Sequence, residues 1–216
     1  LIVALSLSLK GCELCGLDFQ EPYHYDYKAG MPDNRLKLST LDFIQSRPDL
    51  FSILLEAIQY ADATSLYSEK NATYLLPTNT AFNSTTASDL SYFMTHPLLF
   101  VEENGDSVYV TPTSMTYYPK DQVKEFLLYH IVKGKYTWSN LTAEPTWYDT
   151  FASADTAKVN MYLLKDRNPN IVFNNFDGHY KTGIKPRTSN LLSNEGAYIH
   201  VLDSWLDRPT ADILKK

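Results

Sequence analysis

The sequence predicts an α+β fold, with helices near the start and mainly strands towards the end. Residues 50–61 place apolar side chains at i, i+3, i+4, i+7 and i+8, which is the spacing of an amphipathic helix. Residues 198–203 form a largely apolar run with two β-branched residues, which is typical of a strand. Two further apolar runs, 159–164 and 170–173, lie on either side of Pro169 and predict two strands joined by a turn.

The first helix of the predicted domain is short and stops at a proline. Leu41, Phe43 and Ile44 are spaced as one face of a helix. Pro48 ends this helix, because proline lacks the backbone N–H that a continuing helix needs. Asp49 then supplies a carboxylate to the first turn of the second helix, where it stabilises the positive end of the helix dipole.

A strand that ends in a turn follows the two helices. Residues 74–76 are an apolar run that stops at Pro77, which cannot donate a hydrogen bond to a central sheet. Thr78 and Asn79 offer side-chain oxygens that favour a turn or a helix cap. We therefore expect the strand to end here and a turn or a short helix to begin.

Two more elements are predicted in the middle of the chain. The Asn-Gly pair at 104–105 favours a tight turn, and residues 107–111 behind it form a predicted strand. Lys120–Tyr129 is a predicted helix that leads into the strongly apolar residues 126–132. This apolar segment indicates a buried helix end or a strand, closed by Gly134.

Composition and charge exclude several classes of function. The chain has 216 residues, of which 44% are hydrophobic and 20% charged, so it can bury a core of its own. The net charge of −6, without a cluster of Lys and Arg, argues against nucleic-acid binding. Because the common hydrolase, zinc and phosphate-loop motifs are absent from the sequence, no catalytic residue, metal or cofactor is predicted. His200, within an apolar strand, is expected to be a core histidine and not a hydrolase base.

The N-terminal residues differ from the rest of the chain. Residues 1–9 are apolar or serine and match the hydrophobic part of a signal peptide, and the residues that lead to Cys12 resemble a bacterial lipobox. We predict a signal-peptide remnant at 1–11 and a lipidated tether at 12–36, which anchors the protein to the bacterial outer membrane by lipid alone. Cys12 and Cys15 also form a Cys-x-x-Cys motif. Two alternatives to the lipid site therefore stay open: the two cysteines are a disulfide or an incidental pair, or they belong to a metal or redox site.

Three segments together resemble a known family. Residues 73–82 (TYLLPTNTAF) and 198–206 (YIHVLDSWL), with residues 126–136 (FLLYHIVKGKY) between them, resemble the two signature boxes and the Tyr-His segment of the fasciclin (FAS1) domain. The resemblance implies a FAS1 domain over residues 37–209, followed by a C-terminal tail at 210–216. That family consists mainly of extracellular adhesion and interaction modules without catalytic machinery. The implied function is therefore a non-enzymatic adhesion or interaction module at the cell surface.

The resemblance also implies the type of fold and its core. It predicts an antiparallel β-sandwich or wedge with helices packed at one side. The segments between the signature boxes are long for the family, which predicts insertions at 97–116 and 138–156. We expect one core that contains eight apolar residues from the helices and boxes: Ile53, Leu54, Leu75, Leu76, Leu128, Ile131, Ile199 and Val201.

Tyr129 and His130 are the first candidates for partner binding. In FAS1 domains of animal matrix proteins, a Tyr-His pair flanked by bulky aliphatic residues is implicated in integrin binding. The same kind of flank is present here, in Leu127, Leu128, Ile131 and Val132. The alternative is structural, because a buried element needs these aliphatic residues whether or not a partner exists.

Trp138, Trp147 and Tyr148 are candidates for glycan binding. Flat aromatic side chains offer apolar surface at a low entropic cost, which suits sugar rings as well as protein partners. This pattern predicts, as an alternative function, a glycan-binding accessory protein of a bacterial nutrient-uptake system. The alternative, which is slightly favoured, is that the three residues cover the core from outside. The expected partner is therefore a protein or a polysaccharide of the cell envelope.

Overall fold

The computed structural model describes residues 33–84, 86, 90–167 and 169–215. Within these residues the α-helices are α1 (Thr40–Ser46), α2 (Pro48–Tyr60), α3 (Asn79–Phe82), α4 (Tyr92–Thr95), α5 (Lys120–Tyr129) and α6 (Ala211–Leu214). Two short 3-10 helices, Thr64–Ser68 and Met115–Tyr117, lie between them in the chain.

Local sequence explains where the longer helices begin. Ser39 precedes α1, and its hydroxyl accepts a hydrogen bond from Asp42 N–H at 3.0 Å. Pro48 is at the start of α2, where an N–H would have no helical partner in any case. Helix α5 has the bounds that the sequence predicts. Its C-terminal residue is followed by His130, whose N–H still donates to the last helical carbonyls.

The strands form three sheets. They are β1 (Ala72–Pro77), β2 (Leu98–Val101), β3 (Ser107–Val110), β4 (Ile131–Lys133), β5 (Thr146–Asp149), β6 (Lys158–Leu164), β7 (Asn170–Phe173), β8 (Thr188–Leu192) and β9 (Tyr198–Leu202). A central sheet has the order β4-β1-β9-β8, a second sheet the order β5-β6-β7, and β2 and β3 form a separate hairpin. Between these described strands the pairing is antiparallel, except for β1 with β9, which is parallel.

The two sequence segments that resemble family signature boxes lie side by side in the central sheet. Strand β1 pairs with β9 from Thr73 opposite Tyr198 to Pro77 opposite Leu202. All six residues of β1 are buried, as expected of a central strand.

The central sheet is covered on both faces, which explains its buried strands. Tyr74 and Leu76 of β1 pack with α1, α2 and α5, whereas Leu75 between them packs with the sheet of β6 and β7. Alternate residues of a strand point to opposite faces, so the domain has two hydrophobic clusters and not one. The prediction of a single core is therefore wrong for Leu75, which belongs to the second cluster, and for Leu128, which is half-buried and packs against that cluster. The α+β fold class is confirmed, with a mixed central sheet because of the parallel β1–β9 pair.

Several predicted elements are confirmed and a few differ. The strand pair around Pro169 is β6 and β7, and the apolar residues 126–132 form the end of α5 followed by β4. The strand behind the Asn-Gly turn is β3, but its partner β2 was not predicted. From Asn34 onward the described residues form one compact unit. The boundaries of the predicted tether, domain and tail stay predictions.

Candidate functional site

The β2–β3 hairpin exposes an unusual amount of apolar surface. Six of its side chains are large, hydrophobic and at least 40% exposed: Leu99, Phe100, Val101, Val108, Tyr109 and Val110. Tyr109 and Val101 are the most exposed, at 70% and 68%. Single exposed hydrophobic residues are common on protein surfaces, but a continuous group of this kind marks a contact surface.

The strand register puts apolar side chains on both faces of the hairpin. Leu98 lies opposite Val110 and Phe100 opposite Val108, and these four residues form what we call the inner face. On the other side of the ribbon, the outer face consists of Leu99, Val101, Ser107 and Tyr109. A solvated hairpin normally has one polar face, and here seven of the eight ladder residues are apolar.

The turn of the hairpin is polar and acidic. Glu102 N–H donates to the Asp106 carbonyl at 2.8 Å, and Gly105 N–H donates to the Glu102 carbonyl at 2.9 Å. Gly105 has φ +89°, which favours glycine at this position. Asn104 Nδ2 donates to a carboxylate oxygen of Asp106 at 3.0 Å. Together with Glu103, the tip carries three carboxylates, and the sequence has no other charged residue between positions 97 and 118.

A cleft of about 200 Å³ opens at the base of the inner face. It is lined by Leu98, Phe100 and Val110 of the hairpin, by residues 111–113 and by Tyr117. The loop that forms its far wall is fixed to the body of the domain by a fully buried methionine, Met115, and by a hydrogen bond of 2.8 Å between Ser114 and Glu56 of α2. The cleft is therefore an apolar recess with one wall anchored to the domain.

Comparison with known proteins identifies the fold. No family model matches the chain, and no curated protein matches it in sequence. A solved structure, that of a FAS1 domain pair from the insect cell adhesion molecule fasciclin I, matches with a TM-score of 0.52 and 14% sequence identity. The chain has the FAS1 fold. The match covers 82% of this chain and 52% of the fasciclin I chain, so this chain spans about half the length of that one.

In this FAS1 fold, Tyr129 and His130 are buried, each only 2% exposed. The Tyr129 hydroxyl lies 3.0 Å and 2.9 Å from the carbonyl oxygens of Lys158 and Asp207, and accepts a hydrogen bond from Asn174 Nδ2. Burial raises the pKa of this hydroxyl. The contacts favour the structural alternative for the pair, and direct partner binding stays a prediction without exposed surface to support it.

His130 is held by two backbone groups. Its Nδ1 lies 2.8 Å from the Phe126 carbonyl and donates to it, while Nε2 accepts from Leu206 N–H at 3.1 Å. Burial lowers the pKa of His130 to about 4. The neutral ring thus connects the end of α5 to the chain that follows β9.

His200 is a core histidine of the FAS1 fold, as predicted. It is fully buried, its Nε2 donates to the Tyr136 carbonyl at 3.1 Å, and its Nδ1 accepts from Asn190 N–H at 3.3 Å. Burial lowers its pKa to about 4. His179 is arranged similarly, with Nε2 accepting from Asp207 N–H at 3.0 Å. These rings serve as structural acceptors of backbone hydrogen bonds.

The three aromatic candidates for glycan binding do not lie on one face. Trp147 and Tyr148 are neighbours on β5, so their side chains point to opposite sides of the strand. Trp147 packs on Phe176 with ring centroids 5.3 Å apart, and Tyr148 packs on Tyr136 at 4.3 Å. Trp138 is 44% exposed and belongs to the loop before β5. Glycan binding at these residues stays a prediction, without a continuous aromatic platform behind it.

A second cleft, of about 220 Å³, lies beside α5. Its walls include Tyr92, His96 and Trp205, with Arg208 at one side bonded to Glu125 at 2.9 Å. Because the guanidinium is already paired, the cleft offers no free cation to a ligand. Across the described part of the chain, no group of three or more His, Cys, Asp or Glu side chains is arranged to hold a metal ion.

The predictions for the N-terminal residues lie outside the described residues. They concern Cys12 as a lipid site, the pair of Cys12 with Cys15, the signal-peptide remnant at 1–11 and nearly all of the tether at 12–36. Among the helices that the structure does describe, none has the length and apolar character needed to cross a membrane.

The hairpin is the feature that sequence reasoning missed. The sequence predicts an insertion at residues 97–116 and, inside it, the turn and β3, but not β2. The available signal was the pair of apolar runs 98–101 and 107–110 on either side of the Asn-Gly turn, which is a hairpin pattern. The absence of alternation in both runs could have indicated that neither face would be polar.

Proposed function

We propose that this chain is a non-enzymatic interaction module of the adhesive kind, which contacts a protein partner through the β2–β3 hairpin. Fasciclin I, whose FAS1 domain pair has the same fold, is a cell adhesion molecule. A fold alone does not determine a function, so the proposal depends on the site. The observation that carries it is the hairpin with seven apolar ladder residues, six of them strongly exposed.

The exposed surface is large enough to matter energetically. The six exposed side chains present on the order of 600 Å² of apolar surface, divided between the two faces of the ribbon. An isolated two-stranded ribbon is at best marginally stable in water. Covering that area would contribute roughly 15 kcal/mol before the costs of association, since apolar burial contributes about 25 cal/mol per Å². A bound partner would therefore stabilise the hairpin and gain affinity from it.

The proposal includes the place where the module acts. The lipobox-like residues before Cys12 support a lipid anchor at the bacterial cell envelope, on the outer membrane. Mass spectrometry of membrane fractions tests this part, with a lipid-modified N-terminal Cys12 as the expected result. An unmodified N-terminus upstream of Cys12, together with unchanged location of the Cys12→Ser variant, would refute the anchor.

Binding to isolated cell envelopes tests the module itself. We expect labelled protein to bind saturably, to lose binding when the envelopes are treated with protease, and to weaken about tenfold or more with Leu99→Ser combined with Tyr109→Ser. Met94→Ser is the matched control, because it removes an apolar side chain of α4 that is 44% exposed and lies outside the hairpin. Its binding should stay close to that of the unaltered chain.

Two results would contradict the proposal. One is envelope binding that the hairpin variant leaves unchanged while its unfolding curve matches that of the unaltered chain. The other is saturable binding on a glycan array that Trp147→Ala abolishes, which would favour the glycan-binding function.

A further inference from the structure

The hairpin has two free strand edges. In the described part of the chain, β2 and β3 pair only with each other, so the outer edge of each strand faces solvent. Such an edge carries backbone N–H and C=O groups that can pair with another strand. Pro97 directly precedes β2 and Pro112 comes two residues after β3, which limits the pairing length to about four residues.

The cleft at the base lies beside these edges. Leu98 and Phe100 of β2 and Val110 of β3 contribute to its lining, so the cleft is built on the same two strands whose edges are free. A volume of about 200 Å³ suits one large apolar side chain. Edge pairing combined with a pocket for an alternate side chain is the geometry of strand-addition complexes.

The charges around the hairpin indicate which kind of strand fits. Glu102, Glu103 and Asp106 are exposed at the tip, and no basic residue lies between positions 97 and 118 to neutralise them. A partner with Lys or Arg residues beside its apolar ones would be attracted by these carboxylates. A second copy of the hairpin brings the same negative charges, and an anionic membrane surface would be repelled.

We propose that the hairpin receives an extended segment of a partner protein as a third β-strand, with apolar side chains alternating with Lys or Arg and one apolar side chain in the cleft. This inference rests on the proposed function, because it names the chemistry of the partner for the same surface. Backbone hydrogen bonds to the free edge provide affinity, the cleft selects the apolar side chain, and the acidic tip selects the basic ones.

Synthetic peptides test the inference without knowledge of the natural partner. The probe is a short peptide of alternating Val and Lys with a central Phe, measured by titration against the protein in NMR. We expect shifts at β2, β3 and Tyr117 and a dissociation constant that rises with salt. Two control peptides are used. One has Glu in place of Lys, and the other has N-methyl groups on alternate backbone nitrogens. Each should bind about tenfold more weakly or worse.

Substitutions in the protein separate the contribution of the acidic tip to peptide binding from that of the cleft. The combined Glu102→Gln, Glu103→Gln and Asp106→Asn changes should remove most of the preference for the Lys peptide over the Glu peptide. These changes leave the apolar ladder intact, so the hairpin signals of the free variant check that it still folds. Phe100→Ser should weaken the binding of every peptide, because it removes part of the apolar wall of the cleft.

Four outcomes would overturn the inference: the first three leave the proposed function standing, and the last also contradicts a protein partner. Equal binding of the N-methylated peptide would mean that side chains dock without strand addition. Failure of the Lys peptide to bind, while hairpin-dependent binding to envelopes persists, would exclude this partner chemistry. Hairpin-dependent self-association in sedimentation would assign the surface to a second copy of the chain. Hairpin-dependent binding to anionic lipid vesicles would assign it to a membrane.

Discussion

Acid should destabilise this protein between about pH 6.5 and 4, because His130 and His200 are buried in neutral form. Each ring uses both nitrogens: one donates to a backbone carbonyl and the other accepts from a backbone N–H. A second proton would break the accepted hydrogen bond and place an unpaired charge in the interior. The folded state therefore resists protonation that the unfolded chain accepts readily.

The size of the effect follows from the pKa of each ring. Burial lowers both values from 6.5 to about 4, so the unfolded chain binds more protons between these limits. Stability is at its full value above about pH 6.5 and falls as the pH decreases through the window to about 4. Each histidine accounts for a loss of about 3 kcal/mol, at 1.36 kcal/mol per pKa unit. Two such losses are comparable with the total stability of an ordinary domain, about 5–15 kcal/mol.

Urea unfolding followed by circular dichroism measures this effect at several pH values from about 7.5 to 4.5. His130→Gln keeps an acceptor near the position of Nε2 and cannot take up the proton. It should lower the pH dependence by about a third to a half, because burial also lowers the pKa of His179. His96→Gln is the control, because His96 is partly exposed. Asp49, Asp62 and Asp149 have pKa values lowered by salt bridges with basic neighbours, so their contribution is lost only below the window. Stability that stays constant from about pH 7.5 to 4.5, or an unchanged slope in His130→Gln, would refute the reasoning.

Three further substitutions test the packing by the change they cause in the free energy of unfolding. Gly134→Ala should cost about 1–3 kcal/mol, since φ is +104° and a Cβ would lie 3.0 Å from the Tyr136 hydroxyl oxygen and 3.1 Å from its ring; Gly178→Ala has φ +89° but open space and should cost less. Asn174→Ala removes three side-chain hydrogen bonds, two buried and one partly buried, and should cost about 2–4 kcal/mol, whereas Asn175→Ala at the exposed neighbour should cost under about 1 kcal/mol. Leu75→Ala should cost about 2–5 kcal/mol, and a cost near zero would contradict a two-sided core.

Elements that are specified by local pattern were predictable from the sequence. The helix Lys120–Tyr129 and the strands on either side of Pro169 follow from short-range periodicity and from residues that favour turns. The parallel pairing of β1 with β9 is different, because it joins residues more than a hundred positions apart. Only the family resemblance connected those two segments, and it supplied no strand order.

The division of the core was not predictable from apolar character alone. Leu75 and Leu76 are adjacent and equally apolar, yet they belong to different clusters because β1 is covered on both faces. An apolar run without alternation predicts burial on both sides, but it cannot say which element covers which side. The same pattern in β2 and β3 occurs on an exposed hairpin, so burial depends on neighbours that the local sequence does not determine.

The fold places its stabilising polar contacts and its exposed apolar surface in different regions. Tyr129 and His130 connect the end of α5 to Leu206 and Asp207 by internal hydrogen bonds, so their substitution acts first on folding. The side chains of the outer face make no such internal bonds, and their substitution acts first on what the protein contacts. A loss of adhesion in a Tyr-His variant is therefore interpretable only when it is expressed per folded molecule. A loss in Leu99→Ser with Tyr109→Ser, at unchanged stability, assigns the contact to the hairpin directly.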